Sequence, residues 1–183
     1  GLTFNQLLTY NRSIGNHNID ALVGHEWYSY EERYLLGGKT GVPFGGLYEL
    51  DAATTMTDVG GSSAQYRIES YMGRLNYDYN EKYYLSASLR KDGSSRFHKD
   101  SRWGNFWSVG GNYKISSERF MKGIEWLSNL SVRASYGVQG NDNLGSFFAW
   151  QSLYNLGYPA ANNSGALLGS ISSQDITWES SEN

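Results

Sequence analysis

The sequence predicts an all-β fold, an antiparallel transmembrane β-barrel segment with long extracellular loops, on three observations. The first is strict alternation in Asn129 to Asn141: Leu130, Val132, Ala134, Tyr136 and Val138 share one face, and Ser131, Arg133, Ser135, Gly137 and Gln139 the other. The second is a pair of tight hairpins whose loop lengths bring apolar faces together. The third is that short connections alternate with long ones while aromatic residues bracket an aliphatic band, as in outer-membrane barrels. An arginine amid the polar face fits a wet lumen, with the apolar face turned to lipid.

Taken in order, residues 1 to 12 carry Leu2, Phe4, Leu8 and Tyr10 on one face, and residues 17 to 30 carry Ile19, Ala21, Val23 and Trp27. A four-residue turn, Ser13-Ile14-Gly15-Asn16, would pair Tyr10 with Ile19 and Leu8 with Ala21. Residues 31 to 65, rich in Gly, Ser and Thr, read as a long loop. Residues 66 to 79 and 83 to 92 form the clearest hairpin. There a three-residue loop at Asn80-Glu81-Lys82 pairs Tyr77 with Leu85 and Leu75 with Ala87. After a connection over residues 93 to 102, Trp103, Trp107, Val109 and Tyr113 mark a fifth strand. In residues 116 to 128, Phe120, Met121, Ile124 and Leu127 stand at helical spacing, which suggests a short amphipathic turn or helix. The alternating strand follows, then a long loop over residues 141 to 175, and Ile176 to Trp178 reads as extended.

Strand parity puts the turns at 13–16, 80–82 and 116–128 at one end and the long connections at the other. With the short-turn end taken as periplasmic, Tyr10, Tyr77, Tyr79, Tyr83 and Tyr113 form one outward girdle, and Trp27, Trp103 and Trp107 the other. Aromatics packing the core of a soluble sandwich is the competing reading.

Composition narrows the function. The longest apolar runs are a few residues, against the roughly 18 that a spanning helix needs, and mean hydropathy is −0.54. Net charge is −3 and no basic stripe is present, which argues against nucleic acid. Cysteine is absent, so thiolate chemistry is excluded. His17, His25 and His98 are scattered outside metal-ligand spacing, and Gly60-Gly61-Ser62-Ser63 lacks the glycine that a nucleophile elbow requires after its serine. No enzyme, metal or cofactor is expected. The expected activity is binding and passage. Parity puts Arg74, Asn76, Asp78, Arg90, Arg133 and Gln139 on the lumen side, with Ser86 and Ser88, and Trp150, Tyr154 and Tyr158 in an outer loop.

Several stretches, in order along most of the chain, resemble the SusC/RagA-like family of TonB-dependent outer-membrane transporters. They are Tyr66-Arg67-Ile68-Glu69-Ser70-Tyr71 with Gly73 to Tyr77, Tyr83 to Phe97, Trp103-Gly104 through Gly110, Leu130 through Gly145, and Ile176-Thr177-Trp178-Glu179. The resemblance implies a barrel of 22 strands, of which six to seven would fall here. Residues 1–183 would then be one partial barrel domain, an internal slice without the plug, TonB box or C-terminal strands. It further implies import of glycan oligosaccharides or peptides, a SusD-like surface lipoprotein as lid, energy from a TonB complex acting through the N-terminal region, and outer-membrane lipid around the wall. A passive outer-membrane barrel and a soluble carbohydrate-binding β-sandwich are the alternatives.

Overall fold

The computed structural model describes residues 1–121, 123, 124, 126–160 and 163–183. Its main body is a seven-stranded antiparallel sheet in the order β1-β2-β3-β4-β5-β6-β9, beside a two-stranded hairpin, β7-β8. The strands are β1 (Leu2–Ile14), β2 (His17–Thr40), β3 (Thr55–Tyr79), β4 (Tyr83–Ser94), β5 (Trp103–Lys114), β6 (Ser131–Asn141), β7 (Leu153–Ala160), β8 (Asn163–Ser170) and β9 (Glu179–Glu182). No helix among the described residues is long and apolar enough to cross a membrane.

The register of the second hairpin is the expected one, Tyr77 opposite Leu85 and Leu75 opposite Ala87. Its three-residue loop holds Asn80 and Glu81 at φ 57° and 53°. Asn tolerates that left-handed geometry better than Glu does. The first hairpin departs from expectation. Its loop is the two residues Gly15-Asn16, with Gly15 at φ 60°, and the pairs are Tyr10 with Ala21 and Leu8 with Val23. The tighter turn moves the register by two residues, and a shift of two leaves every side chain on its original face.

Two segments read as loops contain strand. Residues 31–40 and 55–65 continue β2 and β3 as a ladder from Glu31 opposite Gln65 to Thr40 opposite Thr55, shifted once at Gly38/Lys39, so only residues 41–54 make the connection. Residues 141–175 hold the β7-β8 hairpin. The reason is common to both. Beyond the membrane both faces of a strand meet water, so nothing selects an alternating pattern and alternation fails as a signal. The final strand is Glu179–Glu182 rather than 176–178. Segment 116–128 forms single turns of 3-10 type, Ile115–Ser117 and Arg119–Met121, in place of a helix; its Lys122 and Glu125 lie outside the described residues.

The outward face is exposed and apolar: Leu8, Val23, Leu75, Leu85, Leu89, Val109 and Val132 all lie open. Below them Tyr79 neighbours Tyr83 at 6.4 Å between centroids, and Tyr83 stacks on Tyr113 at 5.0 Å and 4°. Above them Tyr71 lies 6.2 Å from Trp103, whose ring carries the Lys91 ammonium at 5.3 Å, whereas Trp107 and Tyr136, edge-on at 5.7 Å, stand within the band, level with Leu89 and Val109. From Glu69, level in register with Trp27 and Trp103, to Tyr79 is ten residues, about 34 Å along the strand and about 26 Å across a bilayer at a barrel's tilt. That matches an outer-membrane apolar band of about 25 Å.

Candidate functional site

The inward face is built in rows, because antiparallel pairing sets one side chain from each strand beside the next. At the short-turn end one row runs Ser13, Asn18, Asp78, Tyr84, Asn112, Arg133, and the next runs Asn11, Asp20, Asn76, Ser86, Gly110, Ser135. Nearly all are short and polar, and they line a hollow of about 550 Å³. Asn18 donates to Asp78 at 3.0 Å and Asn76 to Asp20 at 3.1 Å, while the Arg74 guanidinium lies 3.6 Å from the same Asp20 oxygen. Such a surface offers amides and carboxylates to a hydrated or peptide-like neighbour.

Higher on the wall, Arg90 is the organising group. Its Nε donates to both carboxylate oxygens of Asp92 at 2.8 Å, and its Nη2 reaches Ser70 Oγ at 3.0 Å and Glu26 Oε1 at 3.4 Å. Ser70 is fully buried and Asp92 nearly so, while the Arg90 side chain stays 43% exposed, so the bridge is shielded from water on its acceptor side only. A second hollow of about 630 Å³ opens beside it, lined by Ser88, Arg90, Asp92, Phe106, Ser108 and Gln139, among others. Ser88 and Ser108, paired on adjacent strands, hydrogen-bond in its wall at 2.7 Å.

Above the wall sits a compact knot that the sequence reading treated as connection. Asp142 accepts from Tyr66 at 2.6 Å and from Ser94 at 2.8 Å, and its backbone carbonyl accepts from Arg96 at 3.2 Å. The Arg96 guanidinium lies over the rings of Tyr66 at 4.5 Å and Phe147 at 5.0 Å. Phe97 is completely buried beside Trp178, which donates to the Arg102 carbonyl at 2.8 Å and meets Phe106 edge-on. The Phe106 ring fills the space that a Cβ at Gly104 or Gly140 would need. Three separated stretches that carry the family resemblance, Asp92 to Phe97, Asn141 to Gly145 and Ile176 to Trp178, converge here. Their only signal in the sequence was that shared resemblance, since long-range contacts leave no periodicity.

Of the residues singled out from the sequence, Arg74, Asn76, Asp78, Arg90, Arg133 and Gln139 all lie on the same face of the sheet. Arg74, Asn76, Asp78 and Arg90 are tied to wall neighbours; Arg133 and Gln139 have no ion-pair or side-chain hydrogen-bond partner among the described residues. Trp150 is partly buried, donating to the Ser95 carbonyl at 3.3 Å with His98 edge-on at 5.4 Å, so it packs the loop against the rim. Tyr154 and Tyr158 stand exposed on strand β7 rather than in irregular loop.

No protein-family model matches the chain. It is 33% identical over 177 residues to a TonB-dependent receptor of Formosa agariphila, spanning 93% of this chain and 17% of that one. It is 33% identical over 154 residues to the TonB-dependent receptor SusC of Bacteroides thetaiotaomicron, spanning 84% and 15%. Among solved structures it superposes on the RagAB peptide transporter with a TM-score of 0.90 at 28% identity, covering 98% of this chain and 20% of that one. The chain therefore spans a fifth or less of the length of these relatives.

Proposed function

We infer that this chain, which is a β-barrel wall segment of the SusC/RagA-like family of TonB-dependent outer-membrane receptors, forms part of an importer of bulky nutrients. The superposition over 98% of the chain at a TM-score of 0.90 carries this reading, because it joins the two-faced sheet to a transporter wall. In the proposed protein the apolar face meets outer-membrane lipid and the polar rows bound the path of cargo. The remainder of the barrel, a lumen plug and a TonB-coupled N-terminal region belong to the chain beyond this segment.

The cargo we propose is an oligomer with many hydrogen-bonding groups, a peptide or an oligosaccharide. Amide and carboxylate groups at Asn11, Asp20, Asn76 and Asn112 can hydrogen-bond such a chain. A SusD-like surface lipoprotein is the proposed lid over the extracellular rim, and Tyr154 and Tyr158 are candidates for contact with lid or cargo.

Uptake of fluorescent oligopeptides and oligosaccharides by cells with and without the full-length receptor tests the reading. One class should be lost on deletion and also on disruption of the TonB complex. Uptake that survives loss of TonB would favour a passive barrel, and unchanged uptake of both classes would contradict import. An affinity-tagged receptor should co-purify with a surface lipoprotein if the lid is real.

A further inference from the structure

The connection between β5 and β6 is a two-sided ribbon. Hydrogen bonds run from Glu118 N to the Ile115 carbonyl at 2.9 Å, Met121 N to Glu118 at 3.1 Å, Ile124 N to Met121 at 3.2 Å and Leu127 N to Ile124 at 3.2 Å. Such i to i+3 turns bring side chains three apart into line. Ile115, Glu118, Met121, Ile124 and Leu127 are all partly buried, and the intervening series Phe120, Gly123, Trp126 is exposed. Two aromatic rings thus stand open on one side, Phe120 at 70% and Trp126 at 84% exposure.

The ribbon is tethered to the lipid side of the wall. Glu118 accepts from Tyr83 at 3.1 Å and from Tyr113 at 3.2 Å, two stacked members of the lower outward girdle, and pairs with Lys82 at 3.1 Å. Its base is closed by Ser116 N to the Leu130 carbonyl at 3.0 Å. The exposed rings therefore continue the girdle at the level where a bilayer's headgroups would lie. Arg119, next to Phe120, is exposed and supplies a cation for phosphate. Tryptophan beside tyrosine and a basic residue is the composition that such interfaces select.

We propose that this ribbon is an interfacial anchor, with Phe120 and Trp126 seated among phospholipid headgroups of the periplasmic leaflet. The proposal rests on the barrel reading above, and its partner is the lipid rather than a protein. A ring at 84% exposure gains nothing from water, whereas burial at the membrane interface lowers the free energy of the turn.

The test uses the full-length receptor in a cysteine-free background, in vesicles of phosphatidylethanolamine and phosphatidylglycerol. Nitroxide labels are placed at Phe120→Cys and Trp126→Cys, with Val109→Cys as the lipid reference and Tyr48→Cys as the aqueous one. Collision with oxygen against a water-soluble nickel chelate reports depth. Labels at 120 and 126 should fall between the two references, on the lipid side of Tyr48. Nickel access equal to Tyr48 would overturn the anchor, as would shielding from both reagents, which would mean a protein covers the rings. With Val109 still favouring oxygen, either result sinks the anchor alone. If Val109 also behaves as aqueous, the barrel reading falls and the anchor with it.

Discussion

The membrane-level wall and the extracellular rim are one sheet held together by different physics. At the level of Leu75, Ala87 and Val109 the protein is a single layer with no interior, and its apolar side chains are exposed along the outward face. At the rim, the side chains of Phe97 and Ser94, fully excluded from solvent, mark a miniature core of the sort found in soluble domains. The wall relies on its backbone ladder and on lipid to cover its side chains. The rim must exclude water by its own packing, and it does so by folding segments far apart in sequence over one phenylalanine. A substitution should therefore be judged by the layer it falls in.

The largest effect belongs to the rim. Phe97→Ala empties a fully buried site, and the loss should be about 3–5 kcal/mol, confined to the outer loops. Hydrogen exchange would show faster exchange for residues 141–148 and 174–178 with β3 and β4 below Tyr71 unchanged. Slowing or uniform loss across the sheet would mean the rim and wall are not separate layers.

In the wall the sign of a substitution follows its face. Val109→Arg should cost about 2–4 kcal/mol near the bilayer midplane, while Ser108→Arg on the lumen side should be much milder. Denaturant unfolding of the full-length receptor refolded in bilayers compares the two, and equal costs would erase the distinction between faces. Removing a hydrogen-bonding hub is expected to fall lower still. Asp142→Ala strands the Tyr66 and Ser94 hydroxyls, for a loss of about 1–3 kcal/mol, read as a lower melting midpoint of the rim segment.

The smallest effect is a pH dependence at the periplasmic turn. Donation from Lys82, reinforced by Tyr83 and Tyr113, holds the Glu118 carboxyl below its ordinary value of 4.5. A depressed folded-state pKa contributes stability above the ordinary value, and that contribution disappears as pH falls through the folded one. Glu118→Gln should therefore lower stability slightly at pH 7, with the gap from the native protein closing in acid below pH 4.5. A gap that widens in acid would contradict the tether.

The same division explains what could be read from the sequence. Between the girdles one face meets lipid and the other water, so alternation is enforced, and the Tyr77–Leu85 register follows from loop length and parity alone. The first turn is two residues shorter than its composition suggests, because Ser13 and Ile14 suit strand or turn equally and parity is blind to a shift of two. Beyond the band, Leu35 and Val59 lie exposed on extended strand whose pattern carries no period. That Arg74, Arg90 and Arg133 share one face of the sheet was legible by counting. Their partners were not, since Arg90 meets Glu26, 64 residues away, only after the sheet has formed. Asp142 and Arg96 are still harder to foresee, being joined across 46 residues of loop and strand.

The most direct measurement is a nitroxide scan at each position from Ser131 to Gln139 in the full-length receptor, again in phospholipid vesicles, reading oxygen against nickel access. Oxygen preference should peak at Val132, Ala134, Tyr136 and Val138 and vanish at Arg133, Ser135, Gly137 and Gln139. A profile without that period of two, or with Arg133 on the oxygen-rich side, would contradict a wall with lipid on one face and a lumen on the other.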